Sequence, residues 1–227
     1  MKIVDYVANE KNILRQKVAS FKRAPKLLII QANEDAASDS YIRGKIKDGG
    51  EIGVKVDLLK LPSSISELDL IKKISAANED DSIDGIIVQM PLAKHINEEH
   101  IKQAVNPLKD VDGFHPLTKF LPCTPQGIID YLLAEKIEIR SQNAVVIGRS
   151  NIVGRPMAKL LVELDANVVT LHSKTSQEDM NFYLAHADII VVAVGRPSFL
   201  KNQTLKKSAV VIDVGINRVD GVLVGDV

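Results

Sequence analysis

The chain has 227 residues, and 29 basic side chains balance 29 acidic ones, so its formal net charge is zero. This length admits one large domain or two small ones. Hydrophobic residues at 45% and charged residues at 26% are ordinary for a folded globular protein, which excludes a disordered or fibrous chain.

Several features bear on where the chain works and what it contacts. Cys123 is the single cysteine, so no disulfide can form within the chain, as is typical of a reducing compartment. The first residues lack the apolar stretch of a signal peptide, and the longest apolar run, residues 189–194, is far shorter than the roughly 20 residues that cross a bilayer. No basic run suits a nucleic-acid backbone. We therefore expect a cytoplasmic protein with neither a membrane nor a nucleic-acid partner.

Short β-rich segments alternate with longer segments of helical spacing, which predicts an α/β fold with parallel sheets. Several strands are apolar on both faces, as strands covered by helices on both sides must be. The predicted strands span residues 26–31, 54–61, 85–90, 144–148, 168–172, 189–195 and 209–215. The predicted helices span residues 40–52, 66–77, 97–105, 125–135, 155–164 and 177–187.

Residues 106–125 separate two lobes, because this stretch is rich in proline and has little periodicity. Thr124 is interpreted as the N-cap of a helix whose first residue is Pro125. We expect that helix to link the lobes rigidly, with domains at residues 1–123 and 124–227.

Polar residues of the first lobe are candidates for chemistry. Tyr41 and Lys45 lie one turn apart on the same helical face, and Gln89 ends a buried strand, where open α/β sheets place their ligand crevice. Asp110 and Asp112 lie in the irregular segment between the lobes. Each candidate also has an ordinary explanation. Tyr41 and Lys45 would be an exposed pair, Gln89 a buried amide with a hydrogen-bond partner, and the two aspartates turn formers or helix caps.

The segment NAVVIGRSNIVGRPMAKLL reads as a buried strand, a glycine loop and a helix, which predicts a dinucleotide-binding turn. The usual G-x-G-x-x-G pattern is absent. Gly148 permits a sharp turn off the strand, Gly154 lets the helix pack closely, and free amides at the helix N-terminus can meet a phosphate. The alternative is that the glycines serve the turn alone.

The tip of the next strand, residues 171–175, indicates which dinucleotide binds. NAD enzymes usually carry an Asp or Glu at this point for the ribose hydroxyls, whereas this tip reads LHSKT. Arg149, Ser150 and Ser173 suit a 2′-phosphate, so NADP is preferred to NAD. Lys174 is interpreted as a solvated loop charge.

Other chemistries lack support in the sequence. The histidines and Cys123 show no metal-ligand spacing, and there is no P-loop, nucleophile elbow or Cys/His signature. Cys123 is expected to be a small packing residue.

Five segments resemble, in order, the methylenetetrahydrofolate dehydrogenase/cyclohydrolase family, from about residue 26 to the end. They are SDSYIRGKIK, DGIIVQMPL, KDVDGFHP with LPCTPQG, VVIGRSNIVGRPMA, and ADIIVVAVGRP with VVIDVGIN. The resemblance implies a folate-binding N-terminal domain and a Rossmann-type NADP-binding domain with a cleft between them. It also implies a homodimer that oxidises 5,10-methylenetetrahydrofolate with NADP and hydrolyses the methenyl product to 10-formyltetrahydrofolate.

The same resemblance implies roles for individual residues. Lys45 matches the family's catalytic lysine, and Gln89 matches the glutamine that orients it. Tyr41 matches the tyrosine that packs against the folate, and Asp112 the aspartate that holds the pterin ring. In the second domain, the family's 2′-phosphate contacts are matched by Arg149, Ser150 and Ser173. The family's residue beside the nicotinamide is matched by Ile216.

The sequence departs from the family at two places. Members normally continue into a further strand, a glycine-rich turn and a helix that lines the folate cleft, whereas this sequence ends at Val227. The link between His115 and Pro125 is also shorter than usual, which is expected to alter a cleft loop. The sequence is part of a longer protein, a natural truncation, or a relative that lost catalysis. We favour the first, because the matched catalytic positions keep their residue types.

Three alternatives stay open beside the bifunctional enzyme. A dehydrogenase without the hydrolytic step would form NADPH normally after replacement of Lys45. A non-catalytic relative would bind NADP or folate without turnover. A generic NADP dehydrogenase for another small substrate leaves Lys45, Gln89 and Asp112 unexplained as a set.

Overall fold

The structure is a computed structural model that describes residues 2–227. The chain divides into two compact units, Met1–Leu121 and Pro122–Val227, two residues before the boundary expected from the sequence. Both units are built on parallel sheets with covering helices, so the predicted α/β fold is confirmed. No helix in the described part of the chain is long and apolar enough to span a membrane.

Within residues 2–121, the first unit has three strands and four helices. The strands are β1 (Lys26–Gln31), β2 (Lys55–Lys60) and β3 (Gly85–Gln89). The helices are α1 (Ile3–Ala19), α2 (Ala36–Ile52), α3 (Glu67–Glu79) and α4 (Glu98–Ala104). The sheet is parallel in the order β2-β1-β3. Its register pairs Gln31 with Lys60 on one side and with Gln89 on the other, so three polar side chains share the carboxyl edge.

Helices cover both faces of this sheet, which explains why its central strands are apolar throughout. Because side chains alternate along a strand, Ile30 packs with Leu70 of α3 on one face. Its neighbour Ile29 packs with Ile42 of α2 and Ile87 on the other face. The carboxyl edge of the sheet, with its three polar side chains, therefore lies at the end of a core that helices cover on both faces.

The second unit is a doubly wound sheet. Its strands are β4 (Asn143–Ile147), β5 (Asn167–Leu171), β6 (Ile189–Val192) and β7 (Val210–Asp213), and its helices are α5 (Cys123–Ala134), α6 (Gly154–Glu163) and α7 (Gln177–His186). In the parallel order β5-β4-β6-β7, β5 lies on one side of β4 and β6 on the other, so the direction in which the chain winds reverses at β4. Ligands of open α/β sheets bind at the carboxyl ends of strands at such a reversal.

Two of the predicted helix starts were wrong. Helix α2 begins at Ala36 rather than at residue 40, because the Asp35 carboxylate accepts a hydrogen bond of 2.7 Å from the Ser38 amide and caps the helix earlier. Helix α5 begins at Cys123, with Pro122 as its N-cap, so Thr124 is not the cap. Pro125 is then the third helical residue, where an amide has no partner within the helix and a proline is tolerated. Cys123 is exposed rather than packed.

Two elements were missed in the sequence. Helix α1 has no buried residue; the Lys11 ammonium joins it to α2 through Asp48 at 2.6 Å and Glu51 at 2.7 Å. Its apolar residues recur at helical spacing, as those of α2 and α3 do, so the sequence did carry a pattern for this helix. The antiparallel hairpin of β8 (Asn217–Val219) and β9 (Val222–Val224) turns through Asp220 and Gly221, both with positive φ. An Asp-Gly pair between short apolar segments is a hairpin signal that the sequence did carry.

Candidate active site

Three side chains of the first unit converge at the carboxyl edge of its sheet. Lys45 comes from the middle of α2, Gln89 ends β3, and Asp112 lies in the loop after α4. The Lys45 ammonium donates a hydrogen bond of 3.3 Å to Gln89 Oε1 and lies 4.0 Å from Asp112 Oδ1. The structure thus brings together a cation, an amide and a carboxylate that are separated by up to 67 positions in the sequence.

The orientation of Gln89 is determined by its second hydrogen bond. Its Nε2 donates to the Met90 carbonyl at 2.8 Å, which leaves Oε1 to accept from Lys45. The following segment is held in place by Asn33, whose Nδ2 donates to the Pro91 carbonyl at 2.7 Å. The amide is therefore fixed before any ligand arrives.

Asp112 is largely buried, with 16% of its side chain exposed. Burial raises the pKa of its carboxyl; the positive charge of Lys45 acts against this rise, and the negative charge of Asp110 adds to it. Asp110 itself serves the loop, since its Oδ2 accepts a hydrogen bond of 2.7 Å from the His115 amide. Asp112 is consequently the carboxylate of this segment that is available to a ligand's donors.

Tyr41 lies on α2, one turn before Lys45, and half of its surface is exposed. Its phenol ring therefore offers a flat surface on the same side of the helix as the lysine.

A second polar group on the same edge was missed in the sequence. Gln31, at the end of β1, donates from Nε2 to Asp39 Oδ1 at 2.7 Å, and the Lys60 ammonium lies 3.5 Å from the same oxygen. The hydrogen bond from Gln31 lowers the pKa of Asp39; burial opposes this, and Lys60 supports it. Gln31 carried the same signal as Gln89, an amide at the end of a buried apolar strand.

A cavity of about 640 Å³ lies in the second unit, around the carboxyl ends of β4, β5 and β6. Gly148, Arg149 and Ser173 line it, as does Arg196. No aspartate or glutamate is among its lining residues. Two guanidinium groups without an acidic group in the wall make the cavity suited to a phosphorylated ligand.

Both glycines of the loop are required by close contacts. Gly148 has φ of 115°, and a Cβ there would collide with the Ala193 carbonyl. A Cβ on Gly154 would collide with the backbone of Gly148, so α6 could not begin where it does. The loop therefore lets the N-terminus of α6 approach the cavity closely.

Other predicted cofactor residues lie differently. Ser150 is not part of the cavity wall; its Oγ accepts hydrogen bonds from the amides of Val153 at 3.2 Å and Gly154 at 3.3 Å. Ile216 is 61% exposed and also lies outside the wall. Lys174 is exposed and is not a lining residue, which agrees with a solvated loop charge.

Asp226 is a structural residue of the cavity that the sequence did not indicate. It is fully buried, and its carboxylate accepts hydrogen bonds from the successive amides of Val194, Gly195 and Arg196 at 2.8 to 3.0 Å. Burial acts to raise its pKa, but the hydrogen bond from Asn217 and those from the three amides outweigh it, so the pKa is lowered. This carboxylate ends β6 at Val192, before the predicted residue 195, and shapes one wall of the cavity.

One unit is doubly wound and has a glycine loop and a cavity without acidic residues, and the other has a cluster of a lysine, a glutamine and an aspartate. Together in one chain, these features define the class of two-domain, nucleotide-dependent α/β enzymes. The chain belongs to the tetrahydrofolate dehydrogenase/cyclohydrolase family. The model of that family's catalytic domain matches residues 3–112, and the model of its NAD(P)-binding domain matches residues 122–227. The recognition made from the sequence motifs is confirmed.

Known proteins resemble this chain over nearly its whole length. Bifunctional protein FolD of Exiguobacterium sibiricum is 46% identical over 226 residues, which cover 94% of this chain and 81% of that protein. The crystal structure of bifunctional FolD from Campylobacter jejuni has a TM-score of 0.94 at 38% identity and covers 98% of this chain and 83% of its own. The Trypanosoma brucei dehydrogenase-cyclohydrolase, solved with NADP cofactor and an inhibitor, has a TM-score of 0.90 at 29% identity, covering 98% and 82%. The predicted class of enzyme, a bifunctional folate dehydrogenase and cyclohydrolase, is confirmed.

Proposed function

We propose that this chain oxidises 5,10-methylenetetrahydrofolate with NADP and hydrolyses the methenyl product to 10-formyltetrahydrofolate. Membership of the family supports the two reactions. The observation that supports them most directly in this chain is the cluster of Lys45, Gln89 and Asp112, held at the carboxyl edge of the first sheet.

Lys45 is proposed to manage the proton of the hydrolytic step. Water that adds to the electrophilic methenyl carbon must lose a proton. The neutral amine form of Lys45 can take this proton, becoming the ammonium, and return it to the ring nitrogen that leaves when the carbon–nitrogen bond breaks. Gln89 Oε1 accepts a hydrogen bond from the Lys45 ammonium, so the amide holds that nitrogen in one position. Gln89 is therefore assigned as the positioning residue for Lys45.

Asp112 and Tyr41 are proposed to bind the folate. A carboxylate accepts well from two neighbouring N–H donors, such as those of a pterin ring. Burial raises the pKa of Asp112, and the charge of Lys45 acts against that rise. The exposed ring of Tyr41 offers a surface on which the flat part of the folate can pack.

The residues of the second unit fit NADP. When bound, this cofactor supplies the hydride acceptor for the oxidation of the methylene carbon. Arg149 and Ser173 line the cavity and can bind a 2′-phosphate, and the lack of a carboxylate in the wall removes the usual ligand for the ribose hydroxyls of NAD. Ser150, beside Arg149, is assigned to the 2′-phosphate from its hydroxyl chemistry and from the family pattern. Ile216 is assigned to the nicotinamide from the family pattern alone.

We extend the proposal to the whole molecule. The family pattern supports a homodimer, and one-carbon units for purine, methionine and histidine biosynthesis are the expected products of its pathway. The single cysteine supports a cytoplasmic location. Light scattering coupled to gel filtration tests the dimer, since a monomer has a mass of 24.9 kDa.

The first test is an anaerobic assay of the purified chain with 5,10-methylenetetrahydrofolate and either NADP or NAD. We expect reduced cofactor and methenyl product to form with NADP, and at least tenfold less efficiently with NAD, since the two differ by a charged phosphate contact. A folded chain that binds NADP but turns over neither cofactor would contradict the proposed activity.

The hydrolytic step is tested separately with Lys45→Met. We expect hydrolysis of methenyltetrahydrofolate to fall at least 100-fold, in line with the loss of a general acid–base group, while NADPH continues to form. Lys47→Met is the matched control, because Lys47 is on the same helix and its side chain is 75% exposed. Unchanged hydrolysis in Lys45→Met would favour an enzyme in which this lysine has no part in that step.

A further inference from the structure

Gln203 carries a polar atom that the fold leaves without a partner. It lies in the segment after β6 and lines the cavity of the second unit. Among residues 2–227, its Oε1 is the buried side-chain oxygen or nitrogen that has no hydrogen-bond partner. An unpaired buried carbonyl oxygen destabilises a protein, so such an atom in a cavity wall indicates a donor that arrives with a ligand.

The rest of the cavity wall makes this oxygen distinctive. Arg149 and Arg196 offer only donors to a ligand. The other amide of the wall, Gln177, donates from its Nε2 to Asn181 at 2.7 Å, which holds that amide while its Oε1 stays a second possible acceptor. The apolar part of the wall includes Met180, Pro197 and Phe199, a surface suited to a flat ring.

The position of the proposed phosphate site determines what reaches Gln203. The 2′-phosphate of NADP is carried by the same ribose as the adenine base. If Arg149 and Ser173 bind that phosphate, the adenine must lie within reach of the same cavity. Adenine has an exocyclic amino group that donates and ring nitrogens that accept, which is the pattern that a glutamine amide pairs with.

We propose that Gln203 recognises the adenine base of the cofactor, with its Oε1 accepting a hydrogen bond from the exocyclic amino group. The last torsion of a glutamine side chain is soft, so the amide turns its oxygen toward the incoming donor. This inference rests on the proposed use of NADP and adds a specificity residue for the base.

The test measures binding of NADP and of its hypoxanthine analogue by calorimetry without folate, so that no turnover occurs. In the analogue an oxo group replaces the amino group, which turns the donor into an acceptor. We compare the unmodified chain with Gln203→Leu, which removes the acceptor, and Gln203→Glu, which keeps only acceptors. The decisive quantity is the ratio of the two dissociation constants within each variant, because charge effects on the phosphates cancel in that ratio.

We expect NADP to bind about fivefold to tenfold more tightly than the analogue to the unmodified chain, a difference of one hydrogen bond. The preference should be at least as large in Gln203→Glu and should disappear in Gln203→Leu. Gln177→Leu, the matched control in the same wall, should keep the preference of the unmodified chain.

Two results would overturn the inference. Equal preference in Gln203→Leu and in the unmodified chain would show that Gln203 does not recognise the base, and loss of preference in Gln177→Leu alone would assign the base to the other amide. In both cases NADP still binds and the proposed function stands. An unmodified, folded chain that binds neither nucleotide would instead contradict the proposed cofactor, and the inference with it.

Discussion

The burial of the Asp112 carboxyl affects the stability of the free protein. This carboxyl is largely buried and has a raised pKa, so the folded state holds the proton more tightly than the unfolded state does. The free energy of unfolding therefore falls as pH rises from the unfolded pKa through the folded one. Ionisation of Asp112 therefore lowers the free energy of unfolding of the free protein.

The corresponding prediction is that Asp112→Asn is more stable than the unmodified chain at pH 7. The gain should shrink as pH falls below the folded pKa and vanish below the unfolded value near 3.9. Urea unfolding over this pH range measures it, together with a loss of folate binding. Asp81→Asn, an exposed residue, controls for removal of one negative charge. A variant that is less stable at pH 7 would show that the carboxylate stabilises the free site.

At the scale of elements, the approach of α6 to β4 sets the shape of the nucleotide cavity. Gly154, the first residue of the helix, lies so close to the backbone of Gly148 that a Cβ would collide with it. The Ser150 hydroxyl accepts hydrogen bonds from the amides of Val153 and Gly154. Asp226, near the end of the hairpin strand β9, supports the other wall through three backbone amides. The hairpin thus contributes to the cavity without lining it.

Gly154→Ala should destabilise the chain by about 1–3 kcal/mol, the usual cost of an extra carbon in a packed place. We also expect weaker NADP binding, because the N-terminus of α6 must move away from the loop. Gly127→Ala in α5 is the matched control: a Cβ there meets no atom within 4 Å, and we expect it to stabilise the helix by about 0.5–1 kcal/mol. Urea unfolding and calorimetry measure both effects. An unchanged Gly154→Ala would show that the loop can relax freely.

At the scale of the whole molecule, the candidate residues for chemistry belong to two units with separate cores. The lysine, glutamine and aspartate cluster belongs to the unit that ends at Leu121, and the nucleotide cavity belongs to the unit that begins at Pro122. Each unit closes its own hydrophobic core on both faces of its own sheet. A ligand of one unit should therefore stabilise that unit first.

Hydrogen exchange with and without NADP tests this division. We expect NADP to slow exchange of backbone amides in the loop between β4 and α6 and in the segment from Ala193 to Gln203, where the cavity wall lies. Amides of β1, β2 and β3 should change much less, because their sheet belongs to the other unit. Protection of β1 to β3 equal to that of the loop would place the nucleotide elsewhere.

Much of the fold could be read from local pattern. Alternating apolar segments located the seven parallel strands within a few residues, since burial on both faces requires continuous apolar strands. Helix α1 was missed although its apolar residues recur at helical spacing; ion pairs to Asp48 and Glu51 help attach it, and none of its residues is buried. The hairpin was overlooked although Asp220 and Gly221 carried its signal.

The sequence by itself determined the family, the parallel α/β architecture and the residue types available for chemistry, because these depend on motif order and on periodicity. Only the tertiary structure decided which of those residues meet. It joined Lys45 to Gln89 across 44 positions, placed Ser150 and Ile216 outside the cavity wall, and left the oxygen of Gln203 without a partner. Distances between residues far apart in the chain follow from how helices pack on sheets, and no local pattern contains them.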